Sequence, residues 1–191
     1  MARLSKTERQ SALTELVSTD PFLTDEEIAA RFGVSVPTVR LDRLELGIGE
    51  YRSRIREVAQ TSYQKVRSIQ SGDMVGELLD ITPNQSAISL LETDNGMVFQ
   101  GSSIVRGQFL YAMAETIAIA VIDEQAALVG IANIKYKKAV PPNVRLIAKA
   151  EVKRKTGNKY IVWVKIMHEQ TEMFRGKFIL VAPRAKEVQN L

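Results

Sequence analysis

The segment TDEEIAARFGVSVPTVRLDR, residues 24–43, carries the start and stop signals of two short helices joined by a tight turn. Thr24 and Glu27 have the spacing of a capping box, in which each side chain bonds the other residue's backbone N–H. Gly33 supplies the left-handed residue that ends the first helix. Ser35 can cap the second helix, whose opening turn tolerates Pro37. The sequence therefore predicts a helix-turn-helix, with residues 36–46 as its second helix.

The second helix of such a motif enters the major groove of DNA with its N-terminal residues towards the base edges. The side chains predicted to contact DNA are Ser35, Pro37 and Thr38 at its start, with Arg40 and Arg43 one and two turns along. Threonine can contact a thymine methyl or a base edge, and arginine can reach guanine or a phosphate. The alternative is an ordinary helical hairpin whose arginines are simply solvated.

Residues 48–71 place apolar side chains at helical spacing, which predicts an amphipathic linker helix. Arg52 and Arg56 are four residues apart on its other face. Both are candidates for contact with the DNA backbone or minor groove, with a merely solvated role as the alternative. The apolar stripe could mediate dimerisation or could pack on a neighbouring element.

The composition excludes several classes of protein. The chain has 191 residues, of which 45% are hydrophobic and 25% charged, and it has no cysteine. Disulfides, thiolate metal sites and a cysteine nucleophile are therefore excluded. No apolar run reaches the roughly 18 residues of a membrane span, and the first residues lack the apolar core of a signal peptide. We expect a soluble cytoplasmic protein without a membrane partner.

The net charge of +4 permits a polyanionic partner, but it does not identify the DNA-binding segment. Residues 1–70 are nearly neutral, and most of the excess positive charge lies later in the chain. The assignment of DNA binding therefore rests on the helical pattern rather than on bulk charge.

The periodicity changes after residue 71 to a pattern of strands around one apolar helix. The helix is predicted over 106–122, and the strands over 75–81, 86–91, 128–137, 144–155, 160–169 and 173–182. Because the helix is apolar on nearly all sides, it should be buried. A sheet curled around one helix is a hot-dog arrangement, although a generic α+β sandwich fits the periodicity equally well. Unpaired edge strands predict a homodimer or a larger even assembly.

Together with Phe22-Leu23 and with Arg106-Gly107 before the apolar helix, these motifs resemble the FapR family of bacterial regulators over essentially the whole chain. The resemblance implies an α+β protein with a winged-type helix-turn-helix in residues 1–47, a linker helix in 48–71 and a hot-dog effector domain in 72–191. It implies a homodimeric repressor of fatty-acid and phospholipid biosynthesis genes. Such a repressor binds an inverted-repeat DNA operator and is released by malonyl-CoA or a related acyl-CoA.

The resemblance also implies an effector site at the start of the apolar helix. Arg106 matches the arginine that meets the malonyl carboxylate, and Gly107 matches the glycine that lets the thioester approach the helix backbone. A helix N-terminus suits a carbonyl or an anion, and glycine leaves room for it. Phe99 would wall the acyl pocket, and Ala132 and Asn133 would flank the pantetheine.

Two groups of residues around this site each allow more than one role. Lys135, Lys137 and Lys138 could meet the nucleotide phosphates, or could simply be solvated. Gln108 and Glu115 stand where the family commonly has histidine and asparagine. Glu115 could pair with Arg106, lie at a subunit contact or change the preferred acyl group.

Glu115 also opens an alternative function, a hot-dog acyl-CoA thioesterase fused to a DNA-binding module. Thioesterases resembling the PaaI type carry an acidic residue at this spacing on the central helix, where it could act as a general base. The only histidine, His168, lies in a predicted strand and is expected to be structural. We therefore predict no catalytic residue, no metal and no cofactor other than the effector. A third class, a structural DNA-associated protein, would not need Arg106-Gly107.

Overall fold

The computed structural model describes residues 5–183, which form two compact units that divide between Val58 and Ala59. The first unit is helical. The second contains a six-stranded antiparallel sheet and a central helix, so the predicted α+β class is confirmed. Within residues 5–183, no helix is long and apolar enough to cross a membrane.

Four helices come first in the chain: α1 (Lys6–Thr19), α2 (Asp25–Phe32), α3 (Val36–Glu45) and α4 (Tyr51–Tyr63). The helix starts are fixed by local hydrogen bonds. Thr24 and Glu27 form the predicted capping box of α2, and the Ser35 hydroxyl accepts the Thr38 N–H at the start of α3. Gly33 ends α2 in the left-handed conformation, at φ 64°. The short helix, the glycine turn and the second capped helix are thus all present.

The first unit has no wing among its described residues, 5–58, because they form no strand. Only residues 46–50 separate α3 from α4, which is too short a connection for the strand pair of a winged helix-turn-helix. Within these residues the helix-turn-helix is therefore formed by helices without an accompanying strand pair.

The helix α3 is held against α1 and α2 by apolar contacts and by buried ion pairs. Val39 is 1% exposed and belongs to the apolar core of this unit. Arg9 of α1 donates two hydrogen bonds to the Asp42 carboxylate, at 2.6 and 3.2 Å. Arg43 donates two to the Asp25 carboxylate of α2, at 2.7 and 2.9 Å. These pairs fix the rotation of α3 about its own axis.

The Arg9–Asp42 pair predicts a loss of stability in acid. Hydrogen bonds from Arg9, and then from Gln10, hold the pKa of Asp42 below its ordinary value. Because the folded-state pKa is lower than the unfolded-state value of about 3.9, the stabilisation is complete above that pH. It is lost as the pH falls through the folded-state pKa. We expect Asp42→Asn to lower the unfolding free energy by roughly 2 kcal/mol at neutral pH and to flatten its acid dependence.

Far-UV circular dichroism during thermal unfolding, repeated from neutral to acidic pH, measures this effect. Glu15→Gln is the matched control, because Glu15 is exposed on the same helix as Arg9. An Asp42→Asn variant as stable as the parent chain at neutral pH would contradict the prediction.

The strands of the second unit are β1 (Glu77–Thr82), β2 (Ser86–Glu92), β3 (Leu128–Tyr136), β4 (Arg145–Thr156), β5 (Lys159–His168) and β6 (Thr171–Val181). They form one sheet in the order β1-β2-β4-β5-β6-β3, with every neighbouring pair antiparallel. The first and third strands in sequence are therefore the two edges. Each predicted strand is present, with ends shifted by only a few residues.

The helix α5 (Gly107–Ala120) packs against the inner face of this sheet. Met113, Ala114 and Ile117 are fully buried in the core that the helix shares with the strands. From the sheet side, Phe174 and Phe178 are buried in the same core. The prediction of a buried apolar helix is therefore confirmed, and its first turn reaches the rim of the core.

The helix α4 ends at Tyr63, earlier than the apolar periodicity suggests, because its last turn bonds to the sheet. The Ser62 hydroxyl donates to the Leu79 carbonyl at 3.0 Å, and the Tyr63 hydroxyl accepts the Leu78 N–H. Both bonds join the helix end to β1, so the chain leaves the helix there.

Candidate functional site

The predicted DNA-contact residues at the start of α3 lie mostly at the surface. Ser35, Pro37 and Arg40 are exposed, and Thr38 is half-buried. The Thr38 hydroxyl lies 2.9 Å from the Ser35 hydroxyl, so both groups take part in the helix cap. The side chains of Pro37 and Arg40 are thus the more accessible members of this set.

Arg40 forms only weak ion pairs. Its guanidinium is 3.6 Å from the Asp25 carboxylate and 3.9 Å from the Glu26 carboxylate, and its side chain is 60% exposed. Long pairs made by a mostly exposed guanidinium contribute little free energy, because water screens the charge of Arg40. The guanidinium can therefore leave these partners at small cost.

Arg43 has a different environment from Arg40, one turn away. It is 6% exposed, bonded to Asp25 and, at 3.1 Å, to the Ile48 carbonyl. An arginine with these bonds supports the position of α3 from inside. Arg52 and Arg56 of α4 are exposed, and Arg52 shares with Arg40 a surface cleft of about 890 Å³.

Arg54 is a buried residue that the sequence analysis did not single out. Its guanidinium donates to the backbone carbonyls of Pro21, Leu23 and Gly49. Burial lowers the pKa of Arg54 from its ordinary value. The helical spacing could have indicated this burial. Arg54 is two positions from both Arg52 and Arg56, which places it on the opposite side of the helix from these exposed arginines.

A second candidate site is a cleft of about 350 Å³ at the N-terminus of α5. Its lining comes from the 99–105 loop, the first turn of α5, the end of β3 and the segment after it, namely Phe99, Ile104, Val105, Gly107, Leu110, Tyr136, Lys137, Lys138, Ala139 and Val140. Phe99 is 53% exposed at the rim. The cleft thus combines apolar walls with two lysine side chains.

Tyr136 lies directly over Gly107. A Cβ atom added at Gly107 would be 2.9 Å from the Tyr136 ring, and the Tyr136 hydroxyl donates to the Gly107 carbonyl at 3.2 Å. The ring also packs edge-on against Phe174. Side chains alternate along a strand, so Ile134 and Tyr136 both face the helix, and the alternating pattern of β3 could have indicated this position for Tyr136.

Arg106 is the N-cap residue of α5, and its side chain forms hydrogen bonds to the preceding loop. The guanidinium donates to the Met97 carbonyl at 3.2 Å and to the Gly96 carbonyl at 2.8 Å. It also lies 5.1 Å from the centre of the Phe109 ring. These contacts hold the guanidinium beside the first turn of the helix, but Arg106 is not among the residues that line the cleft.

Glu115 lies two turns further along α5 and does not line the cleft. Its carboxylate accepts a hydrogen bond from the Tyr111 hydroxyl at 3.2 Å. Burial, reinforced by the charge of Glu115, raises the pKa of Tyr111, so this hydroxyl stays protonated. His168 of β5 bonds through its ring to the Arg145 carbonyl.

The remaining predicted residues lie along β3. Ala132 is exposed, and Asn133 lines a separate pocket of about 210 Å³ with Lys135, Trp163, Arg175, Gly176 and Lys177. Lys137 and Lys138, by contrast, line the cleft at α5. The structure therefore brings Phe99 and Gly107 together with two of the three lysines, and places Asn133 in the other pocket.

Comparison with known proteins gives relatives over nearly the whole chain, although no protein-family model matches the sequence. Transcription factor FapR of Thermoanaerobacter sp. (strain X514) is 56% identical over 180 residues, which are 94% of this chain and 90% of that protein. Transcription factor FapR of Caldanaerobacter subterraneus subsp. tengcongensis is 54% identical over 180 residues, with the same coverage of each chain.

Solved structures resemble the sheet and its helix. A hypothetical thioesterase with coenzyme A from Streptococcus pneumoniae aligns with a TM-score of 0.51 and 16% identity, over 55% of this chain and 86% of that one. At that identity the likeness shows a common fold only. The close sequence relatives show more, and the chain belongs to the FapR family of transcription factors.

Proposed function

We propose that the protein is a DNA-binding repressor of fatty-acid and phospholipid biosynthesis genes. The pair α2 and α3 serves as a helix-turn-helix within residues 1–47, and the exposed start of α3 enters the major groove. Ser35, Pro37, Thr38 and Arg40 lie at this end of the helix. Arg52 and Arg56 contact the DNA backbone or minor groove from the linker segment 48–71, and Arg43 supports α3 from inside.

The effector domain, residues 72–191, is proposed to be a hot-dog domain that binds malonyl-CoA or a related acyl-CoA. The thioester approaches the free N–H groups at the start of α5, where Gly107 leaves room for it. Arg106 meets the acyl carboxylate, Phe99 walls the acyl pocket, and Lys137 and Lys138 face the phosphates. The strand carrying Ala132 and Asn133 flanks the pantetheine, and Glu115 lies further along α5, outside the lining of the cleft.

We propose a homodimer formed through β3. This strand is an edge of the sheet, and Leu128 and Ile131 on it are 53% and 58% exposed. A long apolar edge strand is a template for pairing with another chain. Pairing β3 with its copy would bury these side chains and would give an inverted-repeat operator its matching two-fold symmetry.

The repressor is proposed to have two states, one that binds the operator and one that binds the acyl-CoA. Helix α4 crosses the boundary between the two compact units, so it is the natural hinge. By thermodynamic linkage, the effector weakens DNA binding by the same factor by which DNA weakens effector binding.

The observation that carries this proposal is the cleft at the N-terminus of α5. It combines Gly107, an apolar wall and two lysines in a chain that also presents a capped, firmly held α3. The Streptococcus thioesterase of similar fold was solved with coenzyme A, which supports an acyl-CoA as the ligand. No contact of Glu115 favours a thioesterase, because its carboxylate bonds to Tyr111 and lies outside the cleft lining.

The test is a fluorescence anisotropy titration of the full chain on inverted-repeat duplexes, with malonyl-CoA, acetyl-CoA and free coenzyme A in parallel. We expect tight DNA binding and selective release by malonyl-CoA. Release by another acyl-CoA would support the role as an acyl-CoA sensor and would identify a different effector. Tight binding without any release, together with thioester hydrolysis in the same samples, would favour the enzyme instead.

A further inference from the structure

The outer face of α3 is apolar at the place where a solvated helix would be polar. Leu41 is 61% exposed and Leu44 is 73% exposed. Pro37 and Arg40 are exposed beside them, and the four side chains span roughly 100° of arc at 3.6 residues per turn. Single exposed leucines are ordinary, but two adjacent ones on the face next to Arg40 indicate a contact surface.

The helix cannot turn these leucines inwards. Val39, on the opposite side, is buried in the core of the first unit. Asp42 and Arg43 each hold the helix through two hydrogen bonds to a partner on another helix. Rotation of α3 about its axis would break both ion pairs, so the apolar face stays outside.

The same face offers few hydrogen bonds to a partner. The Thr38 hydroxyl is engaged with the Ser35 hydroxyl in the cap. Pro37, Leu41 and Leu44 have no polar side-chain atoms, so Arg40 is the one long donor of the four. Recognition by this surface must therefore be largely apolar.

The major groove presents one apolar group, the C5 methyl of thymine, and small apolar side chains recognise thymine through it. A second copy of this chain is a poorer occupant. A two-fold contact between copies would set the same patch against itself, and it would bring two Arg40 guanidinium groups together. The charge of Arg40 instead complements the phosphates that border the groove.

We propose that Leu41 and Leu44 determine sequence specificity by packing on thymine methyl groups in the operator. This inference rests on the proposed DNA binding and adds to it the base that α3 recognises.

The experiment removes the methyl group from thymine and the isopropyl group from leucine. Tight-binding duplexes are selected from a randomised inverted-repeat pool with the full-length chain, and each thymine is then replaced in turn by deoxyuridine. This exchange keeps the base pair and removes only the methyl. We expect one or more thymines at which the parent chain loses affinity about three- to fivefold per half-site, as expected for one buried methyl. Leu41→Ala or Leu44→Ala should lose that sensitivity, which is the coupling of a double-mutant cycle.

Leu46→Ala is the matched control, because Leu46 is the C-cap residue of α3 and lies on the other side of the helix from this face. This variant should keep the full thymine dependence. Tight DNA binding without any methyl-sensitive thymine, or with unchanged sensitivity in both leucine variants, would overturn this inference and leave the proposed function intact. Failure of the parent chain to bind any duplex would overturn both.

Discussion

Replacing Gly107 with valine is expected to lower the affinity for malonyl-CoA at least about 30-fold and to leave operator binding intact. Even a single Cβ atom at this position would lie 2.9 Å from the Tyr136 ring. The two γ-carbons of valine add volume at the N–H groups that the thioester must approach. Isothermal titration calorimetry with malonyl-CoA measures the loss, and DNA anisotropy shows a repressor that no longer responds to the effector.

Two variants separate the loss of space from a general fault in folding. Gly72→Val is the matched control, because a Cβ at Gly72 meets no atom within 4 Å, and it should bind the effector normally. Tyr136→Ala combined with Gly107→Val should recover part of the affinity by returning space. If Gly107→Val still left its operator normally on addition of malonyl-CoA, the proposed pocket would be misplaced.

Replacing Arg40 with alanine is expected to reduce operator affinity by roughly 30- to 20,000-fold, since each of two half-sites loses about 1–3 kcal/mol. The guanidinium is 60% exposed and its ion pairs with Asp25 and Glu26 are long, so its removal should hardly affect stability. Binding of malonyl-CoA should be unchanged. DNA anisotropy and calorimetry on the same preparation give both numbers.

Arg154→Ala removes one positive charge from the exposed part of β4 and controls for net charge. It should bind the operator like the parent chain. Loss of both DNA and effector binding in Arg40→Ala would indicate misfolding, and unchanged operator affinity would remove Arg40 from the DNA-contact surface.

Local sequence signals predicted the two helices of the helix-turn-helix and the position of each strand along the chain, and the resemblance predicted the family. The capping box of α2, the glycine at its end and alternating strands are signals that act over only a few residues. Such signals are complete in the sequence, so the elements they predict are those of the structure. The wing implied by the resemblance had no such signal in residues 46–50, and the structure does not form it there.

Which side chain at each place is available to a ligand depends instead on the packing of distant segments. Arg40 and Arg43 are alike in sequence, but Arg43 meets Asp25 of another helix and is buried. Likewise, Tyr136 lies over Gly107, 29 residues away in the chain. These contacts depend on how distant segments pack, because burial and charge pairing are set by neighbours in space, and no pattern within a few residues specifies them.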